Sequence, residues 1–112
     1  MIHVKKLEEL VSGDRDLLAS LVELFDADLP SLLLKIESGL KNESFEDVQY
    51  AAHRLKGQLR NFFEDELTVK LEAIESFGKN TDRKRAEALF AEVRDGLPEV
   101  RKELEQIIQK GF

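Results

Sequence analysis

The sequence predicts an all-α protein: an up-down antiparallel four-helix bundle with a short additional N-terminal helix. Three observations carry that prediction. Apolar residues recur at spacings of three and four along most of the 112 residues, the signature of amphipathic helices rather than strands. Hydrophobic residues at 42% and charged residues at 36% suit helices with one buried face, and six glycines and two prolines leave little material for the turns of a β fold. Four long periodic stretches are joined by connections of a few residues, which favours antiparallel neighbours. The chain is read as a single domain over 1–112, with the bundle core at about 14–109.

Val4, Leu7, Leu10 and Val11 form a short first helix that ends at Ser12-Gly13 and serves as a lid on the bundle. Asp14 is the expected cap of the next helix, whose stripe runs through Leu18, Leu21, Val22, Phe25, Leu29, Leu32, Ile36 and Leu40. Pro30 is expected to kink this helix, with Gly39 and Asn42 marking its end. A third helix is predicted from Ser44 to Phe63, capped by Asn42 or Ser44, with Asp47 completing an imperfect capping box. Glu64-Asp65 starts a fourth, with Leu67, Leu71, Ile74 and Phe77 inward, stopped by Gly78-Lys79-Asn80. Thr81 or Asp82 caps the last helix, whose stripe extends from Ala86 to Ile108 and which Gly96 and Pro98 are expected to kink.

Composition excludes several function classes. A net charge of -6 and a pI near 5.0 argue against nucleic acid or an anionic membrane surface as partner. The absence of cysteine removes disulfides, thiol chemistry and cysteine-metal sites, and fits a reducing, cytoplasmic setting. No run approaches the roughly 18 apolar residues of a transmembrane helix, and Met1 to Leu10 carries charges where a signal peptide needs an apolar block.

The third helix carries the unusual residues. On a wheel advancing roughly 100° per residue, Val48, Ala51, Ala52, Leu55, Leu59, Phe62 and Phe63 gather on one side. Glu46, Gln49, Lys56, Gly57, Arg60 and Asn61 gather on the side of His53, so the histidine is expected to face solvent. Gly57 lies one turn beyond it, and an interior helical glycine costs about 1 kcal/mol relative to alanine. Steric clearance for a group on the imidazole, or for an approaching protein surface, offsets that cost. Lys56 can reach toward an anion beside the ring, with Arg54 and Arg60 flanking. Neutral imidazole is nucleophilic near neutral pH without an activating base, so the pattern suits a histidine that receives a phosphoryl group. There is no glycine-rich phosphate loop and no Walker-type lysine, so self-phosphorylation from ATP is not expected.

Ala52-His53-Arg54-Leu55-Lys56-Gly57 resembles the core motif of the histidine phosphotransfer (HPt) domains of multistep two-component phosphorelays. The similarity extends in register to Asn61, Leu67, Ile74 and Glu75, and more weakly over about Leu18 to Leu104. The resemblance implies a phosphorelay intermediate: His53 as phosphoacceptor, Lys56 as phosphoryl-stabilising residue and Gly57 as clearance. It implies receiver domains of response regulators and of a hybrid histidine kinase as partners, a monomer, no cofactor on this chain, and Mg²⁺ on the receiver; no metal ligands are assigned here. Gln58 stands where the family often has a small residue, and Phe63-Glu64 replaces its usual Gly-Ala. These departures keep open an alternative, an HPt-shaped binding module that docks a receiver or kinase without accepting phosphate. Leu17, Leu24, Ala27 and Leu34 fall off the main stripe of the second helix. Either the first helix and the Pro30 kink cover them, or they form a receiver-docking strip together with Arg54, Arg60, Asn61 and Gln49.

Overall fold

The computed structural model describes residues 1–112 and contains five helices. They are α1 (Val4–Leu10), α2 (Arg15–Asn42), α3 (Phe45–Asn61), α4 (Asp65–Glu75) and α5 (Arg83–Lys110), with no strand beyond two isolated bridges. Helices α2 and α5 are each 28 residues long, which at about 1.5 Å per residue matches the 42 Å long axis of the molecule. α2 packs on α3 and α5, and α4 packs on the same two, so the four helices close a square around one core.

Twenty-seven apolar residues form that core, and the predicted stripes supply nearly all of them. From α3 it takes Val48, Ala51, Ala52, Leu55 and Leu59; Phe62, just past the helix, meets Phe25 edge-on at 5.4 Å. The Asp14 carboxylate accepts from the amides of Asp16 and Leu17, and the Asp82 carboxylate from that of Arg85, so two of the expected caps form. Glu64 caps α4 by accepting from Leu67 N.

Several boundaries differ from the sequence-based expectation, each for a local reason. α2 ends at Asn42, one of the two residues expected to mark its end, and closes with Glu43 in the left-handed region at φ 54°, while Gly39 lies inside the helix. Gly39 is instead a close-approach residue: a Cβ there would lie 2.7 Å from Val48 Cγ2, so its bare backbone lets α3 pack against α2 beside the turn. Ser44 sits at the N-cap of α3 but makes no side-chain cap bond, so the capping box with Asp47 is not formed. The helix stops at Asn61 because Phe63 turns to φ 56°. Both Pro30 and Pro98 lie inside uninterrupted helices, and Gly96 admits Leu67 of α4, whose Cδ2 would be 3.0 Å from an added Cβ.

The N-terminal segment is tied down rather than loose. Ile2 is buried and bridges to Glu64, His3 N donates to Phe63 O, and the Met1 ammonium donates at 2.7 Å to the buried Glu64 carboxylate. α1 and this segment therefore close the end of the bundle where α3 turns into α4. His3 pairs only with exposed Asp65, away from His53.

Candidate functional site

His53 sits in the middle of α3 with 70% of its side chain exposed. The five core residues of α3 anchor the helix, so the imidazole points outward by default of the 3.6-residue period. It opens into a cleft of about 570 Å³ whose wall also contains Glu46, Gln49, Tyr50, Arg54 and Glu75.

Glu75, at the last turn of α4, organises the ring. Its Oε1 lies 2.9 Å from His53 Nδ1 and its Oε2 accepts from Lys56 Nζ at 2.7 Å. Partial burial pushes the Glu75 carboxyl up, but the hydrogen bonds and charges of Lys56 and His53 outweigh burial and hold it below the usual glutamate range. The carboxylate is therefore ionised at neutral pH and can only accept. In the neutral ring Nδ1 therefore carries the proton and donates, which leaves the lone pair on Nε2; that atom makes no hydrogen bond within the chain and lies on an exposed ring.

Lys56 departs from the wheel. Grouped there with the exposed face, its side chain is only 9% exposed and reaches across to α4, where Glu75 neutralises it. The wheel assigns each side chain a direction from its own helix; it cannot show that α4 packs over that edge of α3. Gly57 is exposed, and a Cβ at this position would meet nothing within 4 Å, so nothing inside the domain requires a glycine there.

The remaining site residues spread over one surface. Arg54 Nη2 donates to Asp28 Oδ2 of α2 at 3.3 Å, and Gln58 Nε2 donates to the same oxygen at 3.0 Å. Gln58 and Asn61 line a groove of about 280 Å³ between α2 and α3, together with Leu21, Leu24 and Phe62. Gln49 lines the His53 cleft, while Arg60 is exposed about two turns beyond His53 along α3. Leu34 is 66% exposed and Leu24 64%, with Leu17 exposed as well. Neither α1 nor Pro30 covers this strip. Neither Gln58 nor Phe63 lines the cleft of the histidine.

Two residues with clear structural parts at the site were given none from the sequence. Glu75 was visible only as a position in register with the resemblance, 22 residues from His53 in the chain. Asp28 carried no signal, being one of 23 acidic residues in the chain. No group of three or more His, Cys, Asp or Glu stands together in a metal-binding arrangement. No helix is long and apolar enough to cross a membrane.

Comparison with known proteins gives one match. The model of the Hpt domain family matches residues 20–110, a span holding all four bundle helices except the first turns of α2. No curated protein and no solved structure matches the chain. With that family match over most of its length, and a solvent-facing histidine on the third helix of an all-helical bundle, the chain belongs to the Hpt domain family, the phosphotransfer modules that work with receiver domains in two-component signalling.

Proposed function

We propose that this domain is a phosphorelay intermediate: His53 accepts a phosphoryl group from the aspartyl phosphate of one receiver domain and passes it to the aspartate of another. The observation that carries this reading is the His53–Glu75 contact, which in the neutral ring places the proton on Nδ1 and leaves the Nε2 lone pair toward solvent. In the forward step the Nε2 lone pair attacks phosphorus, the phosphorus–oxygen bond to the aspartate breaks, and the carboxylate leaves with the bonding pair. The ring becomes positively charged as the new bond forms, and Glu75 stabilises that charge through Nδ1–H. The reverse sequence delivers the group to a second receiver.

Lys56 serves this reaction through Glu75, holding the carboxylate ionised and aimed at Nδ1. Gly57 gives clearance, since no neighbour within the domain claims the space above it. Mg²⁺ and its acidic ligands belong to the receiver. The exposed α2 strip of Leu17, Leu24 and Leu34, with Arg54, Arg60, Asn61 and Gln49 toward the histidine, is the receiver-docking surface in this reading. A domain that exchanges phosphate with receivers in this way is expected to work in the cytoplasm, as a monomer.

The direct test is incubation with a radiolabelled phosphorylated receiver domain. Label is expected on the wild type and not on His53→Gln, and no label is expected from ATP alone. Tight docking of the receiver with no transfer of label would instead select a pure binding module.

A further inference from the structure

The cleft around His53 has an unexpected charge balance. Two carboxylates, Glu46 and Glu75, line it, and Lys56, which sequence reasoning placed beside the phosphoryl group, is neutralised by Glu75 and absent from the wall. The only cation lining the cleft is Arg54. The same side chain also lines the α2–α3 groove beside Leu21 and Leu24, so it forms the partition between the two depressions.

In the unphosphorylated domain Arg54 rests on Asp28 by one 3.3 Å contact, with the two side chains 52% and 38% exposed. A pair so open to water is weak. Its surroundings are also incompletely satisfied: Gln58 donates to the same Asp28 oxygen, while Gln58 Oε1 is buried without any partner. A phosphoryl group on Nε2 would bring a dianion with three strong acceptor oxygens into a cleft where Arg54 is the sole lining cation, and guanidinium is well matched to it.

We infer that Arg54 changes partners with the phosphorylation state of His53: it rests on Asp28 when the ring is free and pairs with the phosphoryl oxygens when it is occupied. Leaving Asp28 removes the guanidinium from the wall of the α2–α3 groove, so the domain presents receivers with a different surface in its two states. Asp28 is then a positioning residue that holds Arg54 one side chain away from the reaction. This inference rests on His53 being the phosphoacceptor.

The test uses the isotope-labelled full chain and potassium phosphoramidate, a small donor whose phosphorus–nitrogen bond breaks with release of ammonia as the Nε2–phosphorus bond forms. Intact mass reports phosphorylation, with His53→Gln as control. NMR reports the Leu21 and Leu24 methyls and the Gln58 side-chain amide, and phosphorus NMR follows the second ionisation of the phosphoryl group. In wild type the groove signals are expected to move on phosphorylation. In Arg54→Gln, driven to the same extent of modification, they stay in place, and the second ionisation rises by about half a pH unit for loss of one exposed charge a few ångströms away. Groove signals that stay still in phosphorylated wild type, or move equally in Arg54→Gln, overturn the exchange while leaving the phosphoacceptor reading intact. A mass gain that is missing in wild type, or that persists in His53→Gln, overturns that reading and the exchange with it.

Discussion

Replacing Glu75 by Gln keeps the shape of the side chain and removes its charge, so it isolates what the carboxylate contributes. Lys56 has no other partner, and its side chain is 9% exposed, so the substitution leaves an ammonium group largely shielded from water without a counter-charge. Removing one member of a fully buried pair costs about 3–5 kcal/mol; Glu75 is 19% exposed, so solvent at the rim reduces the expected loss to about 1–3 kcal/mol. For a chain of 112 residues that corresponds to a Tm lower by about 5–15 °C. The chemical effect is separate. A hydrogen bond to the charged ring contributes about 1.5–3 kcal/mol, and with His53 70% exposed the lower end applies, giving phosphotransfer about tenfold slower. The amide can also turn its NH₂ toward Nδ1, which allows the proton to sit on Nε2 where the lone pair is needed. Urea unfolding, rapid-quench transfer from a phosphorylated receiver and nitrogen NMR of the imidazole measure the three effects independently. The folded-state pKa of Glu75 lies below its unfolded value, so its stabilisation is complete above the unfolded pKa and disappears as pH falls through the folded one. The stability gap between wild type and Glu75→Gln should therefore be constant around neutrality and close in acid, below the ordinary glutamate range. A folded Glu75→Gln that transfers at the wild-type rate, or a wild-type ring protonated on Nε2, would refute the tautomer argument.

Gly57→Ala should stabilise the isolated domain by about 0.5–1 kcal/mol, because the added methyl meets nothing and the helix gains propensity. Phosphotransfer should fall at the same time, and unaltered transfer by a bulkier Gly57→Leu would remove clearance as the reason for glycine. Leu34→Glu should leave stability within about 0.5 kcal/mol, since the side chain is 66% exposed, yet weaken receiver binding in calorimetry; unchanged affinity and transfer would take the α2 strip out of the interface. Gly39→Ala should lower stability by about 1–3 kcal/mol in urea, because its Cβ meets Val48 Cγ2 at 2.7 Å and Ser44 O at 3.3 Å at the α2–α3 crossing.

The sequence by itself determined the helices, the core and the direction of His53. All three follow from periodicity along single helices: the stripe through Val48, Leu55 and Leu59 must be buried, so the histidine opposite must be exposed. The open space above Gly57 was legible for the same reason, because it depends on what one helix leaves bare. What only the tertiary structure decided lies between helices. The wheel of α3 put Lys56 in solvent, and α4 packing on that edge turned it into the counter-charge of Glu75. The same packing brought Glu75 to His53 Nδ1 and so decided which ring nitrogen keeps its lone pair. Asp28 and Arg54 met through the α2–α3 crossing, which Gly39 permits by having no side chain where Val48 arrives. Helical periodicity fixes where a side chain starts, whereas its partner, and hence its charge and protonation, depends on which neighbouring helix lies across from it.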